Sequence, residues 1–360
     1  MKKLLTFLMS MSMTLVLAGC GNGAGNTATT SNTASTPEVK PQSASVAAVE
    51  SVETKEKATD GELTELNVAY MPNYASLWHL LTGIDKGYFE EEGLKINLIE
   101  FADGPSEIAA MEGGSVDVAY IGHGAHRLAI NGSADIIAPS SVHNTDKIIV
   151  LTSKGIEDIK DLKGKKVAYN AGSSSETALN GALASAGLTM DDIDPYEMDA
   201  TNMVAAMMSG SVDACTAWNP YDSQILDNVK DAKQIEFSTD SVNLSSFIAL
   251  PSYVEKNHDL LVRFNRALFK AMQFAAKEEN WDYAVGLYAK QTAKDEEAAK
   301  VETGDAKWFS EDDIKKGVED GSMADLYKQQ QQMFIDSGDV EKERPVDEYV
   351  KFDLIKEALK

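Results

Sequence analysis

Strand-length and helix-length segments alternate from Leu66 onward, and that order constrains the fold more than any other feature of the chain. Leu66 to Tyr70 alternates apolar with polar or small residues as a half-buried strand does, and Trp78 to Lys86 reads as a helix that closes at Gly87. Leu94 to Phe101 alternates again, Pro105 to Gly113 is helical, and Val116 to Ile121 is a third strand ending at Gly122. The order resumes with a strand at Ile148 to Leu151, a short helix at Ile156 to Leu162 and a strand at Lys166 to Tyr169. Helices at Glu176 to Gly187 and Val204 to Ser209 and a strand at Val212 to Ala217 follow. Strands parted by helices predict parallel sheets of the α/β class.

Two stretches echo each other. Ile108 to Ala119 and Val204 to Cys215 each run through a helix, a Gly-Ser turn, a Val-Asp pair and a strand, which two lobes of related topology would explain. From about Ser245 the pattern turns mainly helical. Leu261, Phe264, Leu268, Met272 and Ala275 form one apolar stripe, and Trp281 to Lys290, Ser310 to Gly317, Ala324 to Ser337 and Val346 to Leu359 read as further helices. Gln329 to Gln332 is expected on a solvated face.

Charge narrows the function. The 360 residues carry 33 Lys and Arg against 57 Asp and Glu, a net charge of -24, so the surface repels phosphates and nucleic acid is excluded as a partner. The four arginines, Arg127, Arg263, Arg266 and Arg344, are too few for a guanidinium-rich phosphate clamp. Cys20 and Cys215 cannot build a disulfide framework or a zinc site, and Cys215 falls within a strand, where a free cysteine is a small buried hydrophobe. His123 and His126 lie three apart with His143 beyond, but no carboxylate pattern completes a metal site, and no cofactor is expected. Nucleophile-elbow, phosphate-loop and dinucleotide motifs do not occur, so the chain is not read as an enzyme.

Lys2 and Lys3 precede an uncharged run from Leu4 to Ala18, the form of an export signal and too short to span a bilayer. Leu17-Ala18-Gly19-Cys20 resembles the lipobox of bacterial lipoproteins, which implies cleavage before Cys20 and lipid on its thiol. Residues 20–62, rich in Gly, Asn, Thr, Ala and Ser, cannot bury enough apolar area to offset their ordering entropy and read as a tether. The expected location is the outer face of the cytoplasmic membrane, with the lipid as the anchor.

In open α/β sheets ligands sit beyond the carboxyl ends of strands, so four loops are candidates. They supply Pro72, Asn73, Tyr74, Ser76 and Trp78; Gly122, His123 and Gly124; Gly172, Ser173, Ser174, Ser175, Glu176 and Thr177; and Trp218, Asn219, Tyr221 and Asp222. The serines at a helix start suit an anion such as a sulfonate, or serve as a plain N-cap. Glu176 either meets a positive charge on the ligand, as taurine's ammonium would be, or complements the helix dipole. The aromatics Tyr74, Trp78, Trp218 and Tyr221 could stack on a ring or surround a cation.

Gly83 to Leu94, Gly104 to Gly113 and Ser115-Val116-Asp117 together resemble the first lobe of solute-binding proteins of ABC importers in the nitrate, sulfonate and taurine family, with its thiamin-pyrimidine-precursor relatives. Asp161 to Ala168 with Gly172-Ser173-Ser174 is similar to the start of that family's second lobe, and Ser209 to Tyr221 to its return segment. The resemblance covers Leu66 to Val229 well. It implies a two-lobed periplasmic-binding fold of type II with the ligand in the interlobe cleft. Lobe 1 is then expected at 63–150 plus 246–360 and lobe 2 at 151–245. The implied function is capture of a small organic solute, sulfonate or taurine first, and delivery as a monomer to an ABC permease and its ATPase. An aromatic or amine solute such as a pyrimidine precursor, or a sensor role, is the alternative. The cysteine-rich iron motif of pyrimidine-synthase relatives is missing.

Overall fold

The computed structural model describes residues 63–143, 146–237 and 242–360, so the signal and tether assignments lie outside the described residues. The alternation read from Leu66 builds one side of a six-stranded sheet. Its strands are β1 (Thr64–Tyr70), β2 (Leu94–Glu100), β3 (Val118–Ile121) and β4 (Asp135–His143), joined by two from the distal chain. A second sheet takes β5 (Lys147–Leu151), β6 (Lys166–Tyr169), β7 (Asp194–Glu197), β8 (Ala214–Ala217) and β9 (Ala232–Ile235). The chain then returns to the first sheet with β10 (Asn243–Ala249) and β11 (Ala306–Trp308). The orders are β11-β4-β10-β3-β1-β2 and β7-β6-β8-β5-β9.

The parallel core expected from the sequence is present in each sheet, as β2-β1-β3 and as β7-β6-β8. The remaining pairings are antiparallel, because the strands that carry the chain between sheets enter each one against the parallel set. These crossings fall between His143 and Asp146 and between Phe237 and Val242. β5 therefore sits in the second sheet, ahead of the boundary expected at 150, and β10 sits in the first, ahead of 246.

The internal echo has a structural basis. In the first lobe Asp117 Oδ2 accepts from the amide of Asn67 at 2.8 Å, and in the second Asp213 Oδ2 accepts from the amide of Lys166 at 3.0 Å. Each Val-Asp pair thus pins the start of its own strand to the neighbouring parallel strand.

The apolar stripe on helix His258–Ala275 packs on the first sheet, with Phe264 against Phe89 and Phe247 at ring separations of 5.6 and 5.8 Å. Each such burial stabilises by about 1.5–3 kcal/mol. Two distal expectations change. The helix expected over Val346 to Leu359 is two, Val346–Tyr349 and Phe352–Ala358, because Val350 bridges to Ile136 on the sheet. The glutamine run is not solvated throughout, since Gln330 and Gln331 are buried. Gln331 holds the backbone of Arg344 by two 3.0 Å hydrogen bonds, and Gln330 donates to His123 Nδ1 at 2.8 Å.

Candidate functional site

Where the lobes face each other they enclose a cavity of about 890 Å³, of a size for a small organic molecule. Its wall includes Asn73, Gly122, His123, Ser173, Ser174, Thr177, Trp218, Asn219 and Asp222, nine of the eighteen loop residues singled out in the sequence.

Tyr74, Trp78, Ser175, Glu176 and Tyr221 are among those that stand outside the wall, each for a local reason. Asn73 Oδ1 accepts from the amide of Ser76 at 3.0 Å and starts the helix Tyr74–Asp85 four residues before the expected position. Tyr74 and Trp78 are therefore helical and turned into the core. Tyr74 meets Tyr288 and Trp308 edge-on, and Trp78 packs on His79 and Trp308. Ser173 caps helix Ser174–Ser185, which puts Ser175 inside the second lobe, where its hydroxyl donates to the carbonyl of Thr216 at 2.7 Å. Glu176 neither meets the cavity nor faces free solvent. It accepts from Arg127 of the first lobe at 2.5 Å and from the amide of Gly172 at 2.9 Å. Tyr221 is buried edge-on against Trp218.

Contacts between lobes line the rim. Besides Arg127 and Glu176, Asn170 donates to Asp103 at 3.0 Å, and Asn219 donates to Asp305 at 3.1 Å. At Gly124 the backbones come so close that an added Cβ would fall 2.0 Å from the carbonyl carbon and oxygen of Ser173. The two lobes are therefore in direct contact along this rim.

Residues the sequence did not single out complete the wall: Asp146 and Lys147 on the first crossing, and Glu302, Asp305 and Trp308 around β11. Asp146, Asp222, Glu302, Asp305 and Asp336 face a single ammonium, Lys147, among the described residues of the wall. Lys147 is spoken for, at 2.6 Å from Asp222. Glu302 is also neutralised, by Lys294, and it accepts from the Tyr74 amide and the Tyr288 hydroxyl. Asp146 and Asp305 have no such cation. Burial pushes Asp146 up to about 7, against a hydrogen bond from Ser174 and with the Asp222 charge adding to the rise. Burial likewise pushes Asp305 up to about 6, although Asn219 and Lys147 oppose it.

The wall histidines are neutral. Burial pushes His123 down to about 3 and His143 to about 4. Gln330 donates to His123 Nδ1, and the indole nitrogen of Trp218 is buried without a hydrogen-bond partner. Among the described residues no group of three or more His, Cys, Asp or Glu is placed to hold a metal ion. Cys215 is fully buried in β8, and burial pushes its thiol up.

Next to the rim, Glu107 is fully buried with both oxygens unpartnered. Burial, then the charge of Asp103, holds its carboxyl well above the usual range. The folded state keeps a proton that the unfolded chain releases, so this group's contribution to stability is present below the unfolded value and is lost as pH rises. Glu107→Gln should raise the urea midpoint at pH 8, and the gain should shrink toward pH 5. A gain that does not depend on pH would contradict the assignment.

Two α/β lobes that meet around a cavity define the two-lobed periplasmic-binding-protein fold. The chain belongs to the NMT1/THI5-like family, whose model matches residues 48–280. A Brucella abortus protein, provisionally named a binding protein, is 29% identical over 277 residues, 76% of this chain and 86% of that one. An Escherichia coli protein, provisionally named an aliphatic sulfonates-binding protein, is 34% identical over 178 residues, 48% of this chain and 54% of that one. The alkanesulfonate-binding protein of Xanthomonas axonopodis pv. citri, solved bound to MOPS, shares the fold with a TM-score of 0.60 at 23% identity, over 81% of this chain and 99% of its own.

Proposed function

We propose that the chain is the extracytoplasmic solute-binding component of an ABC importer. It is held at the membrane by lipid on Cys20, captures a small organic solute between its lobes and delivers it to a permease. The observation that carries this reading is the interlobe cavity of about 890 Å³, closed by polar contacts from both lobes. Binding that closes such a cleft changes the outline of the protein, which a membrane partner can read. Capture rather than catalysis is supported by the placement of Cys215, whose burial and raised thiol leave it outside the wall and unreactive.

Two solute classes have support. Sulfonates are favoured by the names of the Escherichia coli relative and the Xanthomonas structure, and by Ser173 and Ser174 at a helix start. An aromatic or amine-bearing solute is favoured by Trp218, Trp308 and His143 in the wall and by its acidic surplus.

The test is a thermal-shift panel on the full chain in detergent, with taurine, alkanesulfonates, nitrate, pyrimidines and simple amines. A ligand at about a thousand times its Kd adds ~4 kcal/mol, which raises Tm by several degrees at this size. At least one class is expected to do so. Silence across the panel would overturn solute capture.

A further inference from the structure

Resting on the solute-binding reading, we infer that the cavity selects solutes that carry a positively charged amine, with Asp146 and Asp305 as the carboxylates that receive it.

The first argument is a charge count made group by group. Lys147 neutralises Asp222, and Lys294 neutralises Glu302 from outside the wall. Asp336 is exposed and accepts a hydrogen bond from Gln332, which leaves Asp146 and Asp305 as the inner carboxylates without an ion-pair partner, one on the first crossing and the other just ahead of β11. Buried carboxylates in that condition cost free energy unless a partner supplies the missing charge. A solute ammonium entering the cavity would supply it. A sulfonate would add a further negative charge to a wall that holds no unpaired cation among its described residues.

The second argument is the hydrogen-bond inventory. One carboxyl oxygen of Asp146, Oδ2, is buried and has no hydrogen-bond partner, so it is an acceptor waiting for a donor. In the same wall the indole nitrogen of Trp218 is a buried donor without an acceptor. A wall with one vacant acceptor and one vacant donor matches a solute that is cationic at one position and accepts a hydrogen bond at another.

Both carboxyls titrate close to neutrality, so affinity for an amine should respond to pH. Ser174 and Asp222 act on Asp146, and Asn219, Lys147, Glu302 and Asp222 act on Asp305. His123 and His143 stay neutral throughout the relevant range. Acid protonates the two aspartates and removes the attraction. Alkali restores it.

The experiment is calorimetric titration of the full chain in detergent with two probes that share a ring and differ in charge, benzylammonium and benzenesulfonate. Benzylammonium should bind more tightly at pH 8 than at pH 5.5, and benzenesulfonate should not bind. Asp146→Asn with Asp305→Asn should weaken benzylammonium roughly 10- to 100-fold at pH 8 and flatten its pH dependence. The melting temperature of the unliganded variant, expected at or above the parent's, checks that the double substitution still folds. Benzenesulfonate binding in place of benzylammonium, or a double variant with unchanged affinity, would overturn the inference. The sulfonate result would do so while leaving solute capture standing. If neither probe binds and the wider panel of solutes is silent, both readings fall. If the panel responds only to anions or neutral solutes, this one falls alone.

Discussion

Gly124→Ala should abolish solute capture while leaving both lobes folded. The added Cβ would lie 2.0 Å from the carbonyl carbon and oxygen of Ser173 and 2.3 Å from the amide nitrogen of Ser174, all backbone atoms that cannot swing aside. Gly124 lies in the short turn His123–Ala125 with no left-handed backbone to strain, so alanine is acceptable within its own lobe. The clash exists only when the second lobe is closed against the first. Affinity for any solute should therefore fall at least about 100-fold, equivalent to roughly 2.7 kcal/mol of lost closure energy. The melting temperature of the unliganded protein should hold within about 2 °C. Calorimetric titration and small-angle scattering check this: the variant should keep the larger radius of the open form whatever is added. Unimpaired affinity would show that capture does not require these backbones to meet.

The second large effect separates two tryptophans that look alike in the sequence. Trp78 is fully buried, with its ring 5.6 Å from Trp308 and 4.7 Å from His79, and its truncation leaves a cavity in the first lobe. Trp78→Ala should cost about 3–5 kcal/mol in urea unfolding. Trp218 is half-buried in the cavity wall and leans edge-on against Tyr221. Trp218→Ala should cost only about 1 kcal/mol and should weaken solute binding roughly tenfold or more. Denaturation and titration measured on both variants form the check. If Trp218→Ala unfolds the protein and Trp78→Ala spares it, the division between core and wall drawn above is wrong.

The parallel strands β1, β2, β3, β6 and β8 were legible because each has a period-two pattern or a short apolar run, whereas β7, Asp-Pro-Tyr-Glu, has neither. β4 and β10 were not legible either. β10 reads Asn-Leu-Ser-Ser-Phe-Ile-Ala, with two serines where a strand core is expected, yet all seven residues are buried. Its polar atoms are satisfied at long range, since Ser246 meets both His126 Nε2 and the Tyr327 hydroxyl. β4 contains Pro139 and a Ser-Ser pair and is accommodated because the β10 register shifts around it. The same blindness hid the polar half of the candidate site. Asp305 lies more than eighty residues beyond Asn219 in the chain and meets it only because β11 pairs with β4. Local pattern finds loops at strand ends but not which distant carboxyl faces them. Tyr74 and Trp78 fell outside the wall for a smaller reason, a cap at Asn73 that turned an expected loop into the first turn of a helix.

The chain passes between the two sheets twice, and the strands that flank the two passages are paired with each other on both sides. β4 and β10 pair up to His143 and Asn243, and β5 and β9 take up pairing again from Ile148 and Ile235. Each connection therefore leaves its lobe from a hydrogen-bonded strand pair, so a change of angle between the lobes has to be taken up at both together. On the proposed solute-binding reading, occupancy of the cleft is written into that angle, as on a gauge with one needle.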